Sequence, residues 1–228
     1  LVNKYLKREA IMKRYSVSAI GCAMIYGYSL LAFCVFFPTV LPAQNIVDEW
    51  NTVKVPAAPE LKPATIDAKT TALLMLDFNK QTCNAERRPR CIASIPGVKK
   101  LLALARAKGA PVAYSLSPGA AAADIAQELA PRADEPVVAS GPDKFLGTDL
   151  EKILKDKGIK TVIVVGTAAH GAVLYTASAA ALRGFSVIVP VDGMSAENPY
   201  AEQYVAWNLV NAPRVSNQTT LTKIDLIR

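Results

Sequence analysis

From Thr71 onward the chain alternates short apolar runs with longer amphipathic stretches, and no other feature constrains its fold as strongly. Strand and helix units repeated in this way build a parallel sheet, because each return to a parallel neighbour must cross the face of the sheet. The first expected strand, Ala72-Leu73-Leu74-Met75-Leu76-Asp77, is a continuous apolar run of the kind buried on both faces, and it ends in a carboxylate. A helix is expected from Gly97 to Lys108, a second strand from Pro111 to Leu116, a helix from Ala121 to Ala130, and a short third strand at Val137 and Val138. Thr148 then caps a helix over Asp149 to Lys157 that stops at Gly158. Thr161-Val162-Ile163-Val164-Val165 is the most β-prone segment and reads as the fourth strand. A small-residue helix running to Arg183, a strand from Ser186 to Val189, a helix from Tyr200 to Val210 and a strand from Leu221 to Ile224 complete the pattern. The expected fold class is α/β: a three-layer α/β/α sandwich with a six-stranded, mostly parallel, Rossmann-like sheet in the order 3-2-1-4-5-6.

With that strand order the connections reverse direction between the first and fourth strands, and ligands bind beyond the carboxyl ends of the strands at such a point. Asp77 ends the first strand, and Gly166-Thr167-Ala168-Ala169-His170-Gly171-Ala172-Val173 opens a helix after the fourth. The free amides of a helix start favour an oxyanion or a carboxylate. The two segments also have plain structural readings, as a strand-end cap and as a tight turn with close helix packing.

The remaining residues divide by charge. Ser16 to Phe37 contains no charged residue, and the leader before it holds Lys4, Lys7, Arg8, Lys13 and Arg14 against one Glu9. This leader accounts for a net +4 of the formal +7, and the remainder is too small and too scattered to suggest nucleic-acid binding. Positive charge ahead of an apolar run sends the following chain across a membrane. Residues 1–15 are therefore read as a basic cytoplasmic leader, residues 16–38 as a transmembrane anchor or the apolar core of a signal peptide, and residues 39–70 as an extended Pro/Ala-rich linker. Residues 71–228 make up the folded domain, expected on the periplasmic side of a bacterial inner membrane, either anchored there or released after cleavage. Ala19, Ala23 and Gly27 give the apolar run one small face.

Cys22 and Cys34 lie inside the apolar run and read as small hydrophobes. Cys83 and Cys91 flank a short charged segment, and outside the cytoplasm they would close a disulfide loop; two free thiols or a redox pair are the alternatives.

Three blocks of the domain resemble the isochorismatase-like, or cysteine hydrolase, family over about residues 71 to 195. They are Ala72 to Asn79, Phe145 to Leu150 together with Gly158-Ile159, and Gly166 to Val173. The resemblance implies the same sandwich. In the amidase branch it implies an aspartate and a lysine that activate a cysteine, whose thiol attacks a carbonyl held by turn amides. Asp77 then takes the acid/base role. Ala172 stands at the position of the family cysteine, so covalent thiol catalysis is excluded there. The lysine position falls at Ala139 by spacing, and the nearest amine is Lys144. Thr167, Ala168, His170, Gly171 and Val173 would contact substrate, with a cis peptide at Thr167-Ala168. Ala169-His170 resembles the branch that protonates a vinyl ether with its aspartate, a task that needs a protonated carboxyl. No cofactor and no metal site is expected.

Two functions follow. One is an exported, membrane-anchored hydrolase of a small carbonyl or enol-ether compound, using Asp77 with help from Lys144. The other is an inactive relative kept as an accessory or binding subunit of a membrane complex. Expected partners are a small-molecule substrate, the membrane through residues 16–38, and a homo-oligomer or membrane-complex assembly.

Overall fold

The computed structural model describes residues 45–228. The chain divides into two compact units between Val53 and Lys54. In the first, the described residues form one helical turn, Ile46–Glu49, whose Val47 amide donates to Asn45 Oδ1 at 2.9 Å. The apolar run Ser16 to Phe37 lies outside the described residues, among which no helix is long and apolar enough to cross a membrane.

The second unit is a seven-stranded parallel sheet between helical layers. Strands β1 (Thr71–Leu76), β2 (Val112–Leu116), β3 (Val137–Ala139), β4 (Thr161–Thr167), β5 (Ser186–Pro190), β6 (Met194–Ser195) and β7 (Thr219–Thr222) are arranged in the order β3-β2-β1-β4-β5-β7, with β6 pairing only with β4. The two-residue β6 is the strand that the sequence pattern misses, since so short a piece has no periodicity to read.

Alternation along β1 and β4 explains the two cores. Leu74, Leu76, Val162 and Val164 face one side, where they meet helices α2 (Leu150–Asp156), α3 (Leu174–Leu182) and α4 (Pro199–Asn211) through Leu150, Leu154, Ala177, Ala180, Val205 and Leu209. Leu73, Met75, Ile163 and Val165 face the other, against Val98, Leu101, Leu102 and Ala105 of α1 (Pro89–Ala107). All six residues of β1 are buried, as expected of a central parallel strand covered on both faces.

Three elements differ from the sequence expectation. The helix expected from Gly97 starts at Pro89, which occupies the first helical turn, and Pro96 is accommodated inside it. The helix expected over Ala121 to Ala130 is instead two 3₁₀ turns, Ala122–Asp124 and Gln127–Leu129. Tertiary bonds override helix propensity here: the Lys80 amide donates to Asp124 O and the Ala126 amide to Phe78 O, both at 2.9 Å. The last strand ends at Thr222, and Ile224 lies in a 3₁₀ turn. Residues 54–70, read as part of the linker, belong to the second unit. Ala64 bridges to Ile227, and Ile66 is buried in the α1 core.

Candidate functional site

Leu76 of β1 lies beside Gly166 of β4 in the parallel register, so Asp77 leaves its strand next to the start of the Thr167 to Val173 turn. The two segments chosen from the sequence therefore meet at the carboxyl ends of the central strands, where the connections reverse. Gly166 makes this possible: a Cβ built on it would lie 2.4 Å from the Leu76 carbonyl oxygen. A side chain there would drive the two strands apart.

Asp77 has a left-handed backbone, φ 55°, and is buried. Aspartate tolerates this region better than most residues. Its carboxylate is fixed at both oxygens: Ser115 Oγ, from the neighbouring β2, donates to Oδ1 at 2.7 Å, and Lys144 Nζ lies 2.8 Å from Oδ2.

Lys144 comes from the loop after β3 and is fully buried. Ala139, where spacing places the family lysine, sits in β3 opposite Leu116 and brings no amine. The loop delivers one from five residues further on because hydroxyls wind it inward. Ser140 Oγ shares its one proton between Asp143 O at 3.0 Å and Leu146 O at 2.9 Å, while Thr148 Oγ1 donates to Lys144 O at 2.6 Å. The Lys144 amide donates to Thr176 Oγ1 at 3.2 Å. The ammonium also donates to Ser140 O at 3.0 Å and Leu116 O at 3.5 Å, so with Asp77 it has three acceptors for its three protons.

The turn after β4 contains a cis peptide between Thr167 and Ala168 and continues as one π-helical turn, Ala169–Val173, into α3. Of the amides expected to hold an oxyanion, Gly171 and Val173 are committed to Ala168 O, at 3.0 and 3.2 Å. The start of the turn supplies what remains, because the first amides of a helix lack partners within it. Thr167 is buried, and its hydroxyl donates to Ser195 O at 3.2 Å. Ala172 is buried and presents only a methyl group.

His170 is exposed, and its Nε2 lies 4.0 Å from Glu197 Oε2. Glu197 is also held by Arg88, whose Nε donates to Oε1 at 2.7 Å. Burial, the largest single influence, pushes the Glu197 carboxyl up, but the Arg88 hydrogen bond and the charges around it outweigh burial and leave the group below its ordinary value.

Cys83 and Cys91 are joined as a disulfide with Cα atoms 5.4 Å apart, closing the loop that leads into α1. Among the described residues no three His, Cys, Asp or Glu side chains stand together in a way that could hold a metal ion. A cleft of about 260 Å³ lined by Arg106, Pro111, Arg132, Glu135 and Lys157 opens at the amino ends of β2 and β3. It lies at the end of the sheet opposite Asp77, so it plays no part in this site.

Ser115, Arg88 and Glu197 were not found from the sequence. Ser115 left a faint signal, a hydroxyl in an otherwise apolar strand. Arg88 and Glu197 left none, being 109 positions apart.

Residues 71–222 match the isochorismatase domain family. The chain is 31% identical over 144 residues to the secreted isochorismatase effector Isc1 of Verticillium dahliae, covering 58% of this chain and 76% of that protein. It is 30% identical over 143 residues to an N-carbamoylsarcosine amidase of Arthrobacter, covering 50% of this chain and 53% of the amidase. Among solved structures, an isochorismatase-like hydrolase from Alkaliphilus metalliredigens superimposes with a TM-score of 0.62 at 24% identity, over 68% of this chain and 95% of that one.

Proposed function

The chain belongs to the isochorismatase domain family, and on that premise we propose that it is an exported hydrolase of a small carbonyl or enol-ether compound, in which Asp77 and no cysteine handles the proton. The observation that carries this reading is the buried Asp77 carboxylate, which accepts from Ser115 on one oxygen and from Lys144 on the other. A carboxylate so fixed is aimed, and its remaining lone pairs are free to take a proton from water. Water then attacks the carbonyl carbon, the oxyanion turns toward the amides at the start of the Thr167 turn, and Asp77 returns the proton to the leaving group. Ala172 has no atom able to attack, so in this reading the nucleophile is water. Protonation of an enol ether would instead require Asp77 to begin as the acid. Both of its oxygens already accept hydrogen bonds, which favours the carbonyl route.

The disulfide between Cys83 and Cys91 and the secreted relative support export. We place the domain on the periplasmic side of a bacterial inner membrane, held by residues 16–38 or released by cleavage after them. The test is a panel of small amides, esters, carbamoyl compounds and vinyl ethers assayed with the full chain and with Asp77→Asn. Turnover that disappears in the variant supports the reading, and turnover that survives it excludes Asp77 as the proton carrier.

A second reading, a non-catalytic accessory subunit of a membrane complex, draws on Lys144. All three ammonium protons have acceptors within the protein, so none is left for a substrate. Purification in mild detergent with a stoichiometric partner, from a protein inert on the whole panel, supports it; isolation alone or as a homo-oligomer speaks against it.

A further inference from the structure

Between Cys83 and Cys91 stand Arg87, Arg88 and Arg90, and all three turn toward one short segment more than a hundred positions later. Arg88 places Nε 2.7 Å and Nη2 2.6 Å from Glu197 Oε1, and Arg87 Nε lies 3.8 Å from the same oxygen. Arg90 grips both oxygens of Glu202, at 2.7 and 2.5 Å, and Glu202 Oε1 in turn accepts from the Ala196 amide at 2.9 Å. The segment after β6 is therefore pinned at two points by a loop that the disulfide closes.

Arg88 is the buried member of the group. Its Nη1 donates to Thr82 O at 3.1 Å, and the Thr82 hydroxyl donates to the carbonyl of Asp77. Burying a guanidinium beside a carboxylate adds little net stability compared with well-packed apolar side chains. What the pair does supply is position. With Oε1 of Glu197 taken by the arginines, Oε2 is left to face His170 across 4.0 Å.

We infer that Arg88 is a positioning residue for His170, acting through Glu197 and held in place by the Cys83–Cys91 disulfide. This rests on the hydrolase reading together with the family resemblance, which puts His170 among the residues that contact substrate. The loop, the carboxylate and the imidazole form one chain of contacts running from the disulfide to the site.

His170 is the only histidine in the chain, so its ring gives a single, unambiguous set of imidazole signals in nuclear magnetic resonance. Glu197→Gln, Arg88→Met and the double variant Cys83→Ser/Cys91→Ser are each expected to displace those signals. Lys152→Met, which removes an exposed surface pair, is expected to leave them in place. In turnover assays Glu197→Gln should lower kcat on the order of tenfold with little change in KM, the cost of a small misplacement of a group at the site. His170→Gln combined with Glu197→Gln should be no slower than His170→Gln alone. Glu197 is partly exposed, so its variant remains informative if Arg88→Met fails to fold. Unmoved ring signals in Glu197→Gln, or kcat losses that multiply in the double variant, overturn the inference. A chain inert on every substrate removes the hydrolase reading and leaves the ring signals to decide this one.

Discussion

Ser115 and Asp77 are joined by a 2.7 Å hydrogen bond across the gap between β2 and β1, the serine hydroxyl donating to a carboxylate that Lys144 holds from the other side. Removing the hydroxyl leaves Asp77 Oδ1 without its buried donor, at a cost of about 1–3 kcal/mol. Ser115→Ala is expected to lower the unfolding free energy by that amount and to reduce kcat with little effect on KM. Ser115→Thr, which keeps the hydroxyl, should restore most of both, as denaturant titration and steady-state kinetics would show.

Lys144→Met should be the more damaging change. It strands the Asp77 carboxylate in a buried site, and breaking a buried ion pair from one side costs about 3–5 kcal/mol. The Met variant is expected to unfold at clearly lower denaturant than Lys152→Met, whose pair is exposed. Equal midpoints for the two would mean that the buried pair makes no special contribution.

Gly166→Ala tests how closely β1 and β4 must approach. The new Cβ would fall 2.4 Å from Leu76 O and 2.5 Å from Leu76 Cβ, with no flexible side-chain end to yield. Insoluble expression or a loss of several kcal/mol is expected, as for other overpacked cores. Gly184→Ala, whose Cβ meets nothing within 4 Å although φ is 89°, should cost only about 1–2 kcal/mol.

Ala172→Cys places a thiol at the position where the family resemblance puts the nucleophile. The site is buried beside Ala169 and Val173, with room needed for a single sulfur. The variant is expected to gain a thiol that iodoacetamide alkylates faster in the folded protein than in urea, since Ala172 lies in the turn that opens α3 and the start of a helix favours a thiolate. Mass spectrometry showing slower alkylation of the folded chain would count against a site organised around that turn.

Glu197 gives the pH dependence. Its carboxyl lies below the ordinary value when folded, so its contribution to stability is complete above the ordinary carboxylate range, near 4.5, and is lost as pH falls through the lower folded value. Denaturation midpoints measured from pH 6 down to pH 3 should therefore fall more steeply for the natural chain than for Glu197→Gln. Parallel curves would show that the Arg88 contact does not discriminate between the two protonation states.

How much of this was legible in the sequence depended on distance along the chain. The apolar runs of β1 and β4 were readable because both faces of a central strand are buried, and Asp77 stood out as the carboxylate that breaks one of them. Gly166 to Val173 was readable as a run of small residues opening a helix. The two 3₁₀ turns over residues 122–129 were not, because Asp124 and Ala126 form backbone bonds to Lys80 and to Phe78 through tertiary structure that local propensity does not encode. Lys144 was nameable as the nearest amine, but its inward course depends on hydroxyls of Ser140, Thr148 and Thr176 that no pattern marks. The Arg88–Glu197 pair joins positions that only the folded sheet brings together.

At Asp77 one residue sets both the chemistry and the direction in which the chain leaves β1, because its φ of 55° suits few side chains. An alanine there would confound a lost carboxylate with a strained backbone, whereas asparagine removes the charge and keeps the bend. In a lineage that abandons turnover, drift at this position is channelled toward asparagine or glycine, so the identity of the residue there would record whether a descendant gave up its chemistry while keeping its shape.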